Sequence, residues 1–525
     1  MAIVQALLAL IAACVGFALL ARRLRLPYAV ILVLGGMALA FVPGAPHVEL
    51  DPELVLAFFL PPLLQASAWR TDWRAFHSNL RPILLLAIGA VAFSAACIAV
   101  TARWLVPSLP WSAAIALGAI VAPPDAMAAS AVLERLRLPR RIVTVLEGES
   151  LINDASALVL YRLAVAAVGA ESIAFGEAVA SFVPLAMGSI AIGYAVGRAT
   201  LFALRRLRDP LLEVLASFLA CFASFLTADA LELSGVIAVV TTGCVLGRAQ
   251  HTVLSPRTRI EAGAVWEFAE FVLNSLVFIL IGLQLNAILD RLDGHRPWEL
   301  VGLALALSLV LIVSRFVWVF PAAWLPRQIP AVRQRDPMPP WSHVVIISWA
   351  GMRGVVSLAA ALALPLDFPQ RDLIVFLAFC AILATLVVQG TTLEWLIRRL
   401  GVEEAQRGSV EPEEAEARRL IAAAMLEALE DRTTDPLEGA IARDLLAEFR
   451  DNVRVLDGLG SGATAAELSA RLRLRLAALR AGRARLLDHH DGGGVHQELL
   501  TRIEQELDLE ELRLRRLLGV ETALA

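Results

Sequence analysis

Leu146-Glu147-Gly148-Glu149-Ser150-Leu151-Ile152-Asn153-Asp154-Ala155-Ser156-Ala157-Leu158-Val159-Leu160 carries three carboxylates into an otherwise apolar run that extends from about 141 to 168. About 20 apolar residues cross a hydrocarbon core as helix, so the run is long enough to span a membrane. Ser150 and Asp154 are four apart and share a helix face, as do Glu149 and Asn153. Asp154 follows two turns of helix and precedes more apolar sequence, which sets it near mid-membrane. An ionisable residue there costs a few kcal/mol or more, and such residues mark functional sites. A hydroxyl, a carboxylate and nearby carbonyls are the hard oxygen ligands a small cation needs. The plainer reading, an aspartate neutralised by a neighbour, is the weaker one.

Two other apolar runs are broken in a way that bears on this site. Ala116-Leu-Gly-Ala-Ile-Val-Ala-Pro123-Pro124-Asp125 holds two mid-span prolines. Each removes a backbone donor and clashes with the preceding turn, so the helix breaks and carbonyls are freed beside Asp125. Asp125 reads as capping a half-helix, since a carboxylate is stabilised at an exposed helix N-terminus. Ile347-Ser-Trp-Ala-Gly351-Met-Arg353-Gly354-Val-Val-Ser357 sets an arginine between glycines. Arginine stays charged in proteins, so Arg353 requires a buried anion. Two interrupted spans in corresponding halves are the pattern of inverted-repeat secondary transporters, with binding at the midplane. A further arginine, Arg315, lies mid-span; its expected partner is Glu267 or Glu270, unless it snorkels to the interface.

The composition agrees. Of 525 residues 58% are hydrophobic and 18% charged, where soluble domains sit near 45–50% and about 25%. Thirteen spans are expected, at about 2–20, 28–43, 53–69, 80–105, 111–132, 141–168, 175–204, 210–227, 234–248, 264–289, 299–325, 341–364 and 371–397. Seven loops on one side are basic, those with Arg22, Arg70 and Arg81, Arg141, Arg205, Arg248, Arg327 and Arg398. By the positive-inside rule these are cytoplasmic, with the N-terminus outside. Residues 401–525 differ in kind, holding 25 acids against 17 arginines, while the first 400 hold 25 against 29. A membrane body (1–400) and a cytoplasmic tail of amphipathic helices (401–525) follow. The five cysteines lie singly in apolar runs and form no zinc or redox spacing. His489, His490, Asp491 and His496 read as a solvated glycine-rich turn rather than a metal site.

These motifs resemble those of the NhaP/NHE-type monovalent cation/proton antiporters. The match rests on Glu147-Gly-Glu-Ser-Leu-Ile-Asn-Asp-Ala-Ser-Ala-Leu-Val, on Trp349-Ala-Gly-Met-Arg-Gly-Val-Val-Ser-Leu and on the Pro-Pro-Asp break. Trp266-Glu-Phe-Ala-Glu270-Phe-Val-Leu-Asn274 and Phe59-Leu-Pro61-Pro62 add to it, and the likeness covers about residues 5–400. It implies an all-α polytopic fold of about thirteen helices with inverted repeats, a homodimer, and a six-helix core that moves against a dimer-forming domain. By the same resemblance Asp154 is the shared sodium or proton site, with Ser150 and carbonyls near Pro124 and Asp125 assisting. Asn153 supports the site in the electroneutral branch, and Glu149 with Arg353 forms a structural ion pair. Where many members carry a glutamate in the third span this chain has Gln65, and where they have Thr-Asp-Pro it has Pro124-Asp125-Ala126. Both differences bear on cation selectivity.

The expectation is therefore a non-enzymatic, cofactor-free antiporter in the cell or inner membrane. It would exchange Na+ (also Li+ or K+) for H+ electroneutrally, in pH and sodium homeostasis, without nucleic acid. Burial raises a carboxylate's proton affinity and a nearby cation lowers it, so competition for one group suffices for obligatory exchange. A potassium-preferring K+/H+ antiporter is the near alternative. A non-transporting sensor and an intramembrane aspartyl protease are remote ones; the protease lacks a Gly-x-Gly-Asp stretch and gives Asn153 no role.

Overall fold

A computed structural model describes residues 2–24, 26–42, 57–125, 136, 138–168, 175–207, 209–292, 296–402, 412–433, 438–446, 462–491 and 497–518. The described residues contain helices and no strand. The chain divides into two compact units, Met1–Glu404 and Ala405–Ala525.

The first unit contains α1 (Ala2–Leu24), α2 (Tyr28–Ala40), α3 (Leu60–Arg70), α4 (Leu80–Leu105), α5 (Trp111–Val121) and α6 (Arg140–Ala166). There follow α7 (Phe175–Leu204), α8 (Pro210–Ala230), α9 (Gly235–Val253), α10 (Pro256–Asp290) and α11 (Pro297–Trp324). The twelfth is split into α12a (Trp341–Trp349) and α12b (Val355–Leu362), and α13 covers Arg371–Leu400. Among the described residues six helices are long and apolar enough to cross a membrane, and α2 and α5 are shorter apolar helices.

Local sequence sets the helix starts. Asp209 accepts from the Leu211 amide at 2.9 Å with Pro210 at the first position of α8. Ser255 accepts from the Thr258 amide at 3.1 Å ahead of Pro256 in α10. A side-chain oxygen satisfies an orphan N–H, and proline sacrifices a donor that has no partner there.

Helices α4, α5, α6, α11, α12a, α12b and α13 pack on one another, while α2 lies along α10 and α9 lies against α3, α7 and α8. In lipid there is little hydrophobic drive between helices, so close backbone approach at small residues holds them. At the α2–α10 crossing a Cβ on Gly36 would overlap the Ile279 carbonyl oxygen, and one on Gly282 would overlap that of Val33. Buried Phe278, Phe379, Leu32 and Ile120 fill the space around these crossings.

Two helices widen into a π turn. In α4 this covers Leu85–Ala90, and in α13 it covers Thr385–Gln389. The Leu85 carbonyl accepts from Trp318 Nε1 at 2.8 Å and the Ala87 carbonyl from Ser156 Oγ at 2.7 Å. Side chains from α11 and α6 thus bond to carbonyls of the widened segment, and π turns often mark functional sites.

The second unit contains α14 (Pro412–Glu430), α15 (Gly462–Asp491) and α16 (Gln497–Leu517). Helices α15 and α16 pack on each other, Arg483 bonding Asp508 at 2.5 Å and Glu511 at 3.1 Å, and Leu472 and Leu514 are buried. His496 lies outside the described residues.

Candidate functional site

The polypeptide breaks where the prolines and glycines require it. Helix α5 ends at Val121 and residues 122–125 are irregular through Pro123 and Pro124. Helix α12a stops at Trp349, and Ala350 to Gly354 run as non-helical backbone before α12b. The two breaks meet: the Asp125 amide donates to the Met352 carbonyl at 2.7 Å. The rest of the expected fifth span, residues 126–132, lies outside the described residues.

Helix α6 runs unbroken beside this crossing. Asn153 Nδ2 donates to the Pro124 carbonyl at 2.6 Å, so α6 bonds a carbonyl at the first break. Asn153 is fully buried, and its Oδ1 has no hydrogen-bond partner among the described residues. The next residue, Asp154, is 7% exposed and near enough to Asp125 for the two carboxylates to interact. Ser150 stands one turn before Asp154 on the same helix, half-buried.

Both glycines around Arg353 make room for side chains arriving from elsewhere. A Cβ on Gly354 would overlap Oδ2 of Asp125. The Asp125 carboxylate therefore sits at the residue preceding α12b, where the positive end of the helix dipole stabilises an anion. A Cβ on Gly351 would overlap Cδ of Arg315. Arg315 passes this glycine to reach Glu149 on α6, with Nη1–Oε1 at 2.6 Å and Nη2–Oε2 at 2.7 Å. It also donates from Nε and Nη2 to the Ile347 carbonyl in α12a, at 3.2 and 3.1 Å. The two side chains are 3% and 1% exposed, so this is a buried, bidentate pair.

The expected Glu149–Arg353 pair is corrected here, because Glu149 takes its bidentate bonds from Arg315. The expected partners of Arg315 are corrected with it; Glu270 instead bonds Arg70 at 2.5 Å. Physically, Glu149 has two in-plane oxygens and one guanidinium fork occupies both. Arg353 is 1% exposed, its amide donates to Thr385 Oγ1 of the π turn at 3.1 Å, and its Nε and Nη1 have no hydrogen-bond partner among the described residues. Its charge is felt by Arg315 and Glu149 without a direct bond to that carboxylate. Ser156 and Thr385 were missed in the sequence; nothing short of knowing the π turns distinguishes them from other small polar residues on apolar helices.

Residues 7–399 match the family model described as sodium/hydrogen exchanger, transmembrane. The chain belongs to the sodium/hydrogen exchanger family. This exchanger is 36% identical over 529 residues to an uncharacterized Na+/H+ exchanger of Mycobacterium tuberculosis, covering 97% of this chain and 95% of that one. It is 31% identical to a sodium, potassium, lithium and rubidium/H+ antiporter of Bacillus pumilus, over 80% of this chain and 64% of that one. Its fold is similar to that of the sodium proton antiporter MjNhaP1 of Methanocaldococcus jannaschii, with a TM-score of 0.58 at 18% identity, covering 74% of this chain and all of that one. The exchanger is thus a multi-pass membrane transporter for cations and protons, not an enzyme, and the protease reading falls away.

Proposed function

We propose that this exchanger moves one monovalent cation, Na+ foremost, against one proton, electroneutrally and by alternating access, with Asp154 as the shared site. The observation that carries the reading is the set of charges at the crossing. Three carboxylates, Asp154, Asp125 and Glu149, and two guanidiniums, Arg315 and Arg353, gather around the crossing, which leaves one net negative charge when all are ionised. One alkali cation or one proton brings the sum to zero. Either loaded form is then neutral and moves through low dielectric at modest cost, whereas the empty form carries an uncompensated buried charge. That asymmetry favours exchange over slippage. Equal charge in both loaded forms makes the cycle insensitive to membrane voltage.

In this reading Ser150 and the carbonyls near Pro124 and Asp125 complete the cation's oxygen shell, and Asn153 holds the crossing in register. The arginine-rich loops put the tail in the cytoplasm, and the protein works as a homodimer in the cell membrane, in pH and sodium homeostasis. A second reading, exchange of potassium or of several alkali cations, draws support from the Bacillus pumilus relative and from Gln65, which offers an amide oxygen instead of a carboxylate.

The test is collapse of an imposed pH gradient in proteoliposomes on adding Na+, Li+ or K+, with voltage clamped at zero, beside Asp154→Asn. Collapse that persists under the clamp and vanishes in the variant is expected, and the most effective ion names the substrate. Exchange retained by well-inserted Asp154→Asn would overturn the shared-site mechanism.

A further inference from the structure

Away from the crossing, three arginines from three separate segments converge on a single carboxylate. Arg81 of α4, Arg141 of α6 and Arg327, just after α11, all bond to Asp336. Arg327 Nη2 lies 2.7 Å from Asp336 Oδ2, its Nε donates to the Asp336 carbonyl at 3.2 Å, and its Nη1 bonds the Ala323 carbonyl. At 5% side-chain exposure Arg327 is a satisfied, structural member. The other two are not used up. The Arg81 and Arg141 side chains are 33% and 37% exposed, and Nε of Arg81 is buried without a hydrogen-bond partner among the described residues. One carboxylate against three guanidiniums leaves an excess of two positive charges.

These arginines rim a cavity of about 60 Å³ whose walls are apolar, including Leu86, Val319 and Val344, with His343 at its edge. The first turns of α6 and α12a both line it, through Arg141 and Ile142 and through His343 and Val344. Two helix N-termini therefore add their dipoles to the guanidiniums, an arrangement suited to an anion. Leu84, next in sequence to the lining residue Leu85, and Trp341, two residues before His343 and stacked on Phe320 at 5.4 Å, are both exposed. Tryptophan beside arginine is the composition of a membrane–water interface. Each arginine sits at a span end assigned to the cytoplasmic side.

We propose that this cavity binds one anionic phospholipid of the inner leaflet. Its phosphodiester lies between Arg81 and Arg141, and the start of an acyl chain enters the apolar walls. Arginine forks bind phosphate oxygens with two parallel N–H bonds. A zwitterionic lipid brings its own cation and gains less from a site already in positive excess. The occupant ties together α4, α6 and α12a, all of which bear on the crossing, so the expected readout is stability rather than catalysis.

The experiment is thermal denaturation of the purified full chain in detergent, titrated with phosphatidylglycerol, with phosphatidylcholine of the same chains, or with inorganic phosphate. Phosphatidylglycerol alone is expected to raise the midpoint, and Arg81→Gln with Arg141→Gln is expected to abolish that increment. Should the double variant fold poorly, Val319→Phe fills the cavity without altering charge and is expected to remove the same increment. Equal shifts from both lipids, a shift reproduced by inorganic phosphate, or an increment that survives Val319→Phe would each overturn the proposal. None of these readouts depends on ion exchange, so failure here leaves the transport reading untouched.

Discussion

Replacing Arg315 with methionine removes four hydrogen bonds, two to Glu149 and two to the Ile347 carbonyl. It strands a glutamate that is 1% exposed. Breaking a buried pair from one side typically costs about 3–5 kcal/mol, because the remaining charge has no water and no partner. At 1.4 kcal/mol per tenfold, that is roughly 10² to 4 × 10³ in the folded-to-unfolded ratio. Replacing both members with apolar residues of similar volume removes the stranded charge, so Glu149→Leu with Arg315→Met should regain most of the loss. Arg353→Met removes a buried guanidinium of which two nitrogens are unbonded among the described residues, and should lose exchange while keeping the fold. The assay is the monodisperse fraction surviving a heating series in detergent, read by fluorescence-detected size exclusion, for the parent and the three variants. If Arg315→Met survives heating like the parent while Arg353→Met collapses, then Arg353 is the true counter-ion of Glu149 and the pairing is refuted.

Two further outcomes follow from the same geometry. Gly354→Ala would drive a methyl group into Oδ2 of Asp125, so exchange should be lost together with stability of the order of 1–3 kcal/mol; unchanged transport in proteoliposomes would show that the crossing is not this tight. At Asp336, burial alone would raise the carboxyl, but the hydrogen bonds and charges of Arg141 and Arg327 outweigh it and hold it below the ordinary value. A depressed carboxyl contributes stability in full above its unfolded value of about 3.9, and loses it only as pH falls through the lower folded value. The stability gap between parent and Asp336→Asn should therefore stay constant from pH 8 to pH 5, and a gap that closes between pH 7 and 5.5 would contradict the assignment.

Much of the fold was legible because the membrane imposes simple rules. Span length, proline and glycine breaks and the arginine-bearing loops each have a local signature, and Pro123-Pro124 and Gly351 to Gly354 break the backbone where expected. The pairing of charges was not legible. Glu149 and Arg315 are 166 positions apart, and Arg353 presents the same guanidinium at the same crossing. Which arginine arrives in plane with the carboxylate is set by how α6, α11 and α12a pack on one another, not by local sequence. The same holds for Arg81, Arg141 and Arg327: each reads as one more positive residue in a cytoplasmic loop, and their convergence on Asp336 is a product of tertiary packing.

The glycines of the twelfth span illustrate why the local and global readings diverge. Read locally, Gly351 and Gly354 weaken a helix, and a weakened helix frees backbone groups for a ligand. In three dimensions each also leaves a gap that one specific side chain occupies, Arg315 at the first and Asp125 at the second. A positive and a negative group are thereby brought within a few residues of Arg353. The break is thus a device for assembling charge as much as for exposing carbonyls. A continuous helix with alanine at both positions would have its backbone satisfied, yet would exclude both groups. Arg353 would then lie in hydrocarbon with neither Asp125 nor the Arg315–Glu149 pair around it, at a cost that backbone satisfaction does not offset. That is why the break and the buried arginine occur together in Gly351-Met-Arg353-Gly354, and why neither feature accounts for the site alone.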